Sequence, residues 1–193
     1  MIQQRDMMAV LEKHRGNAVV IPTMTGSPPW LDTSRLPQRD VPISGAMGKA
    51  SSFALGIALA RPDVKGIVLD GDGSLEMNLG TMATIAGKHP ENLYHFVIQN
   101  GVYAMTGGQP IPAVGTISFA QMALGAGYAA AYQFDELEEF SLHIQDILKQ
   151  KGPVFVTVKT VPEVENEPIA RRPRRGGRTL LVAMRELQDS LKS

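Results

Sequence analysis

Two short loops carry the residues of this chain best suited to chemistry. Gly71-Asp72-Gly73-Ser74 follows the apolar run Gly66-Ile67-Val68-Leu69-Asp70. Asn100-Gly101-Val102-Tyr103 begins 26 positions after Ser74 and follows Tyr94-His95-Phe96-Val97-Ile98-Gln99. Each loop therefore ends a candidate buried strand and offers a hard oxygen donor, the Asp72 carboxylate in one and the Asn100 side-chain amide in the other. Such donors suit Mg²⁺, which takes about six oxygens at roughly 2.1 Å and keeps phosphate oxygens among them. The Val102 carbonyl can supply a third protein ligand, and two diphosphate oxygens and a water would complete the shell. Gly71 and Gly73 let the backbone approach a phosphate, and a helix opening at Ser74 would aim its first amides at the anion. Alone, Gly-Asp-Gly is a common turn. The Asn100 loop, at the matching position after a second strand, makes it a candidate site.

The elements around these loops follow from apolar periodicity. Residues 2–14 read as a helix stopped by Gly16-Asn17, and Ala18-Val19-Val20-Ile21 as a buried parallel strand. Residues 22–42, with Pro28-Pro29-Trp30 inside, lack periodicity and read as a functional loop or partner contact. Gly45-Ala46-Met47-Gly48 opens a helix of small residues over about 48–60, ended by Arg61-Pro62-Asp63. A strand over 65–70, one helix over about 75–87 and a strand over 93–99 follow, then a Gly-rich loop to Gly108. Further along come a helix over 118–126, a weaker strand over 128–132 and a helix capped by Asp135 that runs to about 150. The strand 153–159 and an amphipathic helix over about 179–192 complete the pattern. Unbroken apolar strands alternating with helices predict an α/β fold, a mainly parallel central sheet flanked by helices, with ligands beyond the carboxyl ends of the strands. Asp72 and Asn100 both stand there.

Composition narrows the function classes. The chain has 193 residues, formal net charge +0 and no cysteine, which excludes disulfides, thiolate zinc sites, Fe–S clusters and a cysteine nucleophile. The neutral balance argues against a nucleic-acid or membrane surface, and no apolar run approaches the roughly 18 residues of a membrane span. The amino-terminal residues lack the apolar core of a signal peptide, so a cytoplasmic location is expected. The basic run 171–178 reads first as a solvated linker. His14, His89, His95 and His143 read as surface or satisfied core residues.

The motifs together resemble a known family. Gly71-Asp72-Gly73-Ser74 through Asn100 resembles the thiamine-diphosphate motif of the decarboxylase branch. Gly45-Ala46-Met47-Gly48-Lys49-Ala50-Ser51-Ser52 and Asn100-Gly101-Val102-Tyr103-Ala104-Met105-Thr106-Gly107-Gly108-Gln109-Pro110 resemble segments of phosphonopyruvate and sulfopyruvate decarboxylases. The resemblance implies a thiamine-diphosphate-binding fold, with residues 1–160 as the diphosphate-binding domain and 161–193 as a basic segment and helix. It implies Asp72, Asn100 and the Val102 carbonyl as Mg²⁺ ligands. Gly71, Gly73, Ser74 and Tyr103 would line the cofactor. The Gly45 carbonyl would accept from the aminopyrimidine 4′-amino group, and Met47 would support the bend between the cofactor's rings, so both are candidate catalytic residues. The implied reaction is decarboxylation of a small 2-oxo acid.

The family's activating glutamate lies on a separate pyrimidine-binding domain, for which this length leaves no room. Glu12, Glu76 and Glu91 have no matching context. The resemblance therefore implies the beta subunit of a split enzyme, a homo- or hetero-oligomer completed by a pyrimidine-binding alpha subunit. Lys49, where the related segment often has His, and Ala104-Met105, in place of Gly-Ser, leave the substrate acid open. So does the choice between decarboxylation and an acetolactate-synthase-like carboligase. A non-catalytic phosphate- or nucleotide-binding module is the alternative of a different class.

Overall fold

The structure is a computed structural model describing residues 1–167, 171 and 178–192. Five parallel strands form the central sheet in the order β1-β2-β3-β7-β6: β1 Val19–Pro22, β2 Gly66–Gly71, β3 Leu93–Gln99, β6 Ala130–Phe134 and β7 Val154–Lys159. The strands β1 and β2 and all but the last residue of β3 and of β7 are buried, as expected where helices cover both faces of a parallel sheet. Side-chain alternation splits the core in two. Val19, Ile21, Val68, Val97 and Phe155 face α3 (Ala50–Ala60), α5 (Gly80–Lys88) and α6 (Phe119–Ala126). Val20, Ile67, Leu69, Phe96 and Val156 face α1 (Gln4–His14), α2 (Ser27–Thr33) and α7 (Leu137–Ile147). In α3 the small residues Ala50, Ala54 and Ala58 are buried, which lets the helix lie close to the sheet. A hairpin of β4 (Val102–Tyr103) and β5 (Gln109–Pro110) closes the loop after β3.

Four expectations change. Residues 22–42 are not a plain loop: α2 begins with Pro28 and Pro29 at its first positions, where an amide hydrogen has no helical partner anyway, so proline there starts a helix. Trp30 of α2 is fully buried and donates from Nε1 to Asp40 Oδ1 at 3.0 Å. The single helix over 75–87 is two, α4 (Asp72–Glu76) and α5, broken at Asn78, whose Nδ2 donates to the Gly48 carbonyl at 3.0 Å. The weak strand lies two residues later, at Ala130–Phe134. Glu136 stands at the cap of α7 in place of Asp135, with no side-chain capping bond.

The last helix, α8 (Leu180–Ser190), starts at Thr179, whose hydroxyl accepts from the Val182 amide at 3.3 Å. Its Ala183 and Leu187 enter the α3 side of the core. Arg39 and Arg61 donate to the carbonyls of Ser190 and Leu191, satisfying groups that a helix end leaves unpaired. In the basic run, Arg178 donates to the Pro37 carbonyl and pairs with Glu186, while 172–177 lie outside the described residues. Among the described residues no helix is long and apolar enough to cross a membrane.

Candidate functional site

Register brings the two loops together. β2 and β3 are parallel neighbours with Gly71 opposite Ile98, so Asp72 and Asn100 leave the sheet side by side at its carboxyl end. Asp72 is 2% exposed, and its carboxylate joins the loops: Oδ1 accepts from the Gly73 amide at 2.8 Å and Oδ2 from the Gly101 amide at 2.7 Å. Two of the four lone-pair sites on an ionised carboxylate remain for another partner. Asn100 Oδ1 accepts from the Val102 amide at 3.0 Å, which holds the side chain back over its own loop. Ser74 Oγ accepts from the Gly48 amide at 3.0 Å. That bond ties the Gly45–Gly48 segment to α4, so all three predicted segments meet.

Close packing explains two glycines. A Cβ at Gly73 would stand 2.5 Å from Tyr103 Cε1 and 3.1 Å from Ile111 Cγ2. At Gly48, with φ +71°, it would stand 2.9 Å from Asn78 Cβ and 3.2 Å from the Ser74 carbonyl oxygen.

A cleft opens over these loops. Met47, Gly71, Asp72, Gly73, Ser74, Asn100, Val102 and Tyr103 all line it. Gly45 is exposed at φ +71° just before Met47 and lies outside the lining. Ala104, Met105 and Thr106 of the quoted segment also line the cleft, as do Met24 and Thr25, which were not singled out from sequence. Thr25 had a readable signal, since it follows the carboxyl end of β1 and parallel sheets gather ligands at that edge. Met24 sits in the left-handed region at φ 46°, unusual for a non-glycine residue and typical of places where fold geometry overrides local preference.

The site's electrostatics call for a cation. Burial pushes the Asp72 carboxyl above its ordinary range, and hydrogen bonds from the amides of Gly101, Gly73 and Asn100 pull it partly back. Glu76, one helical turn on, is pushed up by burial and then by the Asp72 charge. Both Glu76 carboxylate oxygens are buried without a hydrogen-bond partner. Among the described residues, no lysine or arginine pairs with either acid. The Asp72 carboxylate and the Asn100 side-chain amide oxygen, which both line the cleft, fit a hard divalent cation carrying an anion.

The comparisons agree with this geometry. The family described as "Thiamine pyrophosphate enzyme, C-terminal TPP binding domain" matches residues 28–158. A phosphonopyruvate decarboxylase of Streptomyces hygroscopicus is 34% identical over 137 residues, covering 66% of this chain and 34% of that protein. The sulfopyruvate decarboxylase subunit beta of Methanocaldococcus jannaschii is 36% identical over 125 residues, covering 65% of each. The chain thus aligns with about a third of the first relative and just under two thirds of the second. Among solved structures, the Rhodococcus jostii RHA1 thiamine diphosphate-dependent 4-hydroxybenzoylformate decarboxylase shares the fold, with TM-score 0.72 and 19% identity over 86% of this chain and 33% of that one. With the family match running from α2 to β7 and the Asp72 and Asn100 loops inside it, this chain belongs to the thiamine pyrophosphate enzymes and carries their C-terminal TPP-binding domain.

Proposed function

We propose that this chain is the thiamine-diphosphate- and Mg²⁺-binding subunit of a 2-oxo acid decarboxylase of the sulfopyruvate or phosphonopyruvate type. The observation that carries the reading is the Asp72–Gly101 hydrogen bond, which locks a buried carboxylate against the Asn100 loop at the ends of adjacent strands. Asp72, the Asn100 side chain and the Val102 carbonyl hold the cation. The backbone at Gly71 and Gly73 and the Ser74 hydroxyl border the diphosphate, with the Tyr103 ring packed on Gly73. Met47 fills the cleft beneath the cofactor's ring junction, and the Gly45 carbonyl orients the aminopyrimidine. When bound, the cofactor supplies a nucleophilic carbon and an electron sink for loss of CO₂. The chain's own residues orient it, neutralise its diphosphate through the cation and exclude water on one side.

In this reading the working unit is residues 1–160, with 161–193 appended to it. The other side of the site, with the glutamate that activates the aminopyrimidine, comes from a separate pyrimidine-binding subunit. The names of the beta-subunit relatives support that division.

The test is cofactor titration followed by reconstitution. Thiamine diphosphate binding is expected to require Mg²⁺ and to disappear in Asp72→Ala. Turnover of sulfopyruvate or phosphonopyruvate to CO₂ and an aldehyde is expected only when a pyrimidine-binding chain is added. Mg²⁺-dependent binding of a nucleotide but not of thiamine diphosphate overturns the cofactor, full turnover by this chain alone overturns the partner, and an acyloin product overturns the reaction.

A further inference from the structure

Behind the Gly71–Asp72–Gly73 turn the sheet carries a buried polar column that the cofactor site does not use. Asp70 and His95 are both 0% exposed. Alternation turns Asp70 to the same face as Val68, and His95 is the strand partner of Val68 on β3, so the two side chains meet under α5 and α6. Asp70 Oδ1 accepts from the Gly71 amide at 3.0 Å. Asp70 Oδ2 and His95 Nε2 face each other at 3.7 Å, and neither has a hydrogen-bond partner. On the far side of the ring, His95 Nδ1 lies 3.3 Å from the Tyr128 hydroxyl. Phe155 fixes both rings from the side, edge-on to His95 at 5.0 Å and to Tyr128 at 5.6 Å.

Burial, and then the Asp70 charge, keeps the Tyr128 hydroxyl protonated and so able to donate to Nδ1. With Tyr128 as the donor, the ring hydrogen stands on Nε2, the nitrogen aimed at the Asp70 carboxylate. A run of apolar residues would fill this space without leaving two polar atoms unpaired, an arrangement that costs stability. The polar arrangement sets a ring nitrogen opposite Asp70, whose other oxygen holds the Gly71 amide at the start of the turn.

We propose that Asp70 is a positioning residue, anchored from behind by His95 and Tyr128, which sets the angle at which Gly71 and Asp72 leave β2 and thereby the affinity of the site for a divalent cation. The affinity part rests on the cation-binding reading above; the control of the turn does not.

The test uses the full chain, ring-¹⁵N-labelled at histidine, with amide exchange at Gly71 and Mn²⁺ titration followed by electron paramagnetic resonance. The parent is expected to show His95 with hydrogen on Nε2. Asp70→Asn keeps an oxygen for the Gly71 amide but turns an NH₂ toward His95. It is expected to move the ring hydrogen to Nδ1 and to leave Gly71 exchange within about twofold of the parent. Asp70→Leu has no acceptor and is expected to speed that exchange and weaken Mn²⁺ each by about tenfold, the loss of one net hydrogen bond. Asp70→Asn should lose less Mn²⁺ affinity than Asp70→Leu.

Unchanged exchange in a folded Asp70→Leu overturns the proposal. So does a parent ring protonated on Nδ1 or on both nitrogens. If Asp70→Leu does not fold, Tyr128→Phe decides: a mixture of His95 tautomers with faster Gly71 exchange supports the column, and an unmoved ring overturns it. A parent that binds no Mn²⁺, with Gly71 exchange still responding to Asp70, overturns the cation reading and leaves the turn's positioning intact.

Discussion

Two buried carboxylates in this fold are treated in opposite ways. Asp40, beside the edge strand β1, is 0% exposed and is countered from within the chain at Oδ1, while its Oδ2 has no hydrogen-bond partner. Arg15 pairs with its Oδ1 at 2.9 Å, Trp30 donates to the same oxygen, and the guanidinium lies 5.1 Å from the Trp30 ring centre. Asp72, at the carboxyl end of β2, is as deeply buried, but its partners are backbone amides alone. Its acidic neighbour Glu76 has no hydrogen-bond partner at all. The first cluster is structure: a charge neutralised by a charge, pinning the segment between β1 and α3. The second is what the proposed cation site needs: an acid held in place by backbone dipoles, with no side-chain countercharge among the described residues.

The comparison predicts that equal chemical insults have unequal consequences. Arg15→Met leaves Asp40 as an uncompensated buried charge and should cost about 3–5 kcal/mol of folding stability in urea titration. Asp72→Asn keeps an oxygen acceptor for the turn while removing charge from a place that lacks a countercharge. Its stability should stay within about 1 kcal/mol of the parent, while Mg²⁺-dependent cofactor affinity falls by about a hundredfold, or roughly 2.7 kcal/mol. If Asp72→Asn unfolds the protein and Arg15→Met does not, the two clusters have been assigned to the wrong roles.

The same contrast explains what the sequence made legible. The strands, the parallel sheet and the Asp72 and Asn100 loops were readable because apolar runs and tight-turn glycines are local signals. The Arg15–Asp40–Trp30 cluster was not, because its members stand 15 and 10 positions apart in segments whose chemistry looks like loop chemistry until they fold together. The same limit hid α2, which lies in a stretch without periodicity and carries Pro28 and Pro29 in its first turn, where proline is tolerated. It also hid Met24, which reaches the cleft from the segment after β1, the strand next to β2. His95 read as a surface or satisfied core residue, whereas it is fully buried with Nε2 lacking a hydrogen-bond partner, and nothing in its own neighbourhood of the sequence announces Asp70 or Tyr128.

Within the site, the two glycines flanking Asp72 differ as sharply as the two carboxylates. A Cβ at Gly73 would meet the Tyr103 ring at 2.5 Å and 2.8 Å, whereas at Gly71 the nearest atoms are Ser74 Cβ at 3.9 Å and Thr25 Oγ1 at 4.0 Å. Gly73→Ala must push Tyr103 aside and should cost about 1–3 kcal/mol with a matching loss of cofactor affinity. Gly71→Ala should change stability by less than about 0.5 kcal/mol. Thermal melts with and without Mg²⁺ and thiamine diphosphate separate the two. Equal losses would mean that the Tyr103 contact does not define the cleft.

The smallest expected effect is a slope. Asp72 and Glu76 are both raised in the folded chain above ordinary values of 3.8 and 4.5. The folded state therefore holds more protons than the unfolded state just above those values. Stability from these two groups is fully present below them and is lost as pH rises through the folded values. On the proposed cation site Mg²⁺ binds the ionised forms, so saturating Mg²⁺ should abolish the loss above the ordinary values and make the protein gain stability as pH rises toward them. Asp72→Asn removes one titrating group and lowers the other by deleting its charged neighbour, so the slope without metal should flatten and the response to Mg²⁺ should vanish. Asp40 titrates in both proteins and cancels in the difference. Melting temperatures across about pH 4 to about pH 7, parent against Asp72→Asn, give the result directly. Parallel curves with and without Mg²⁺ would mean that the buried acids at the end of β2 are neutralised by something other than a cation.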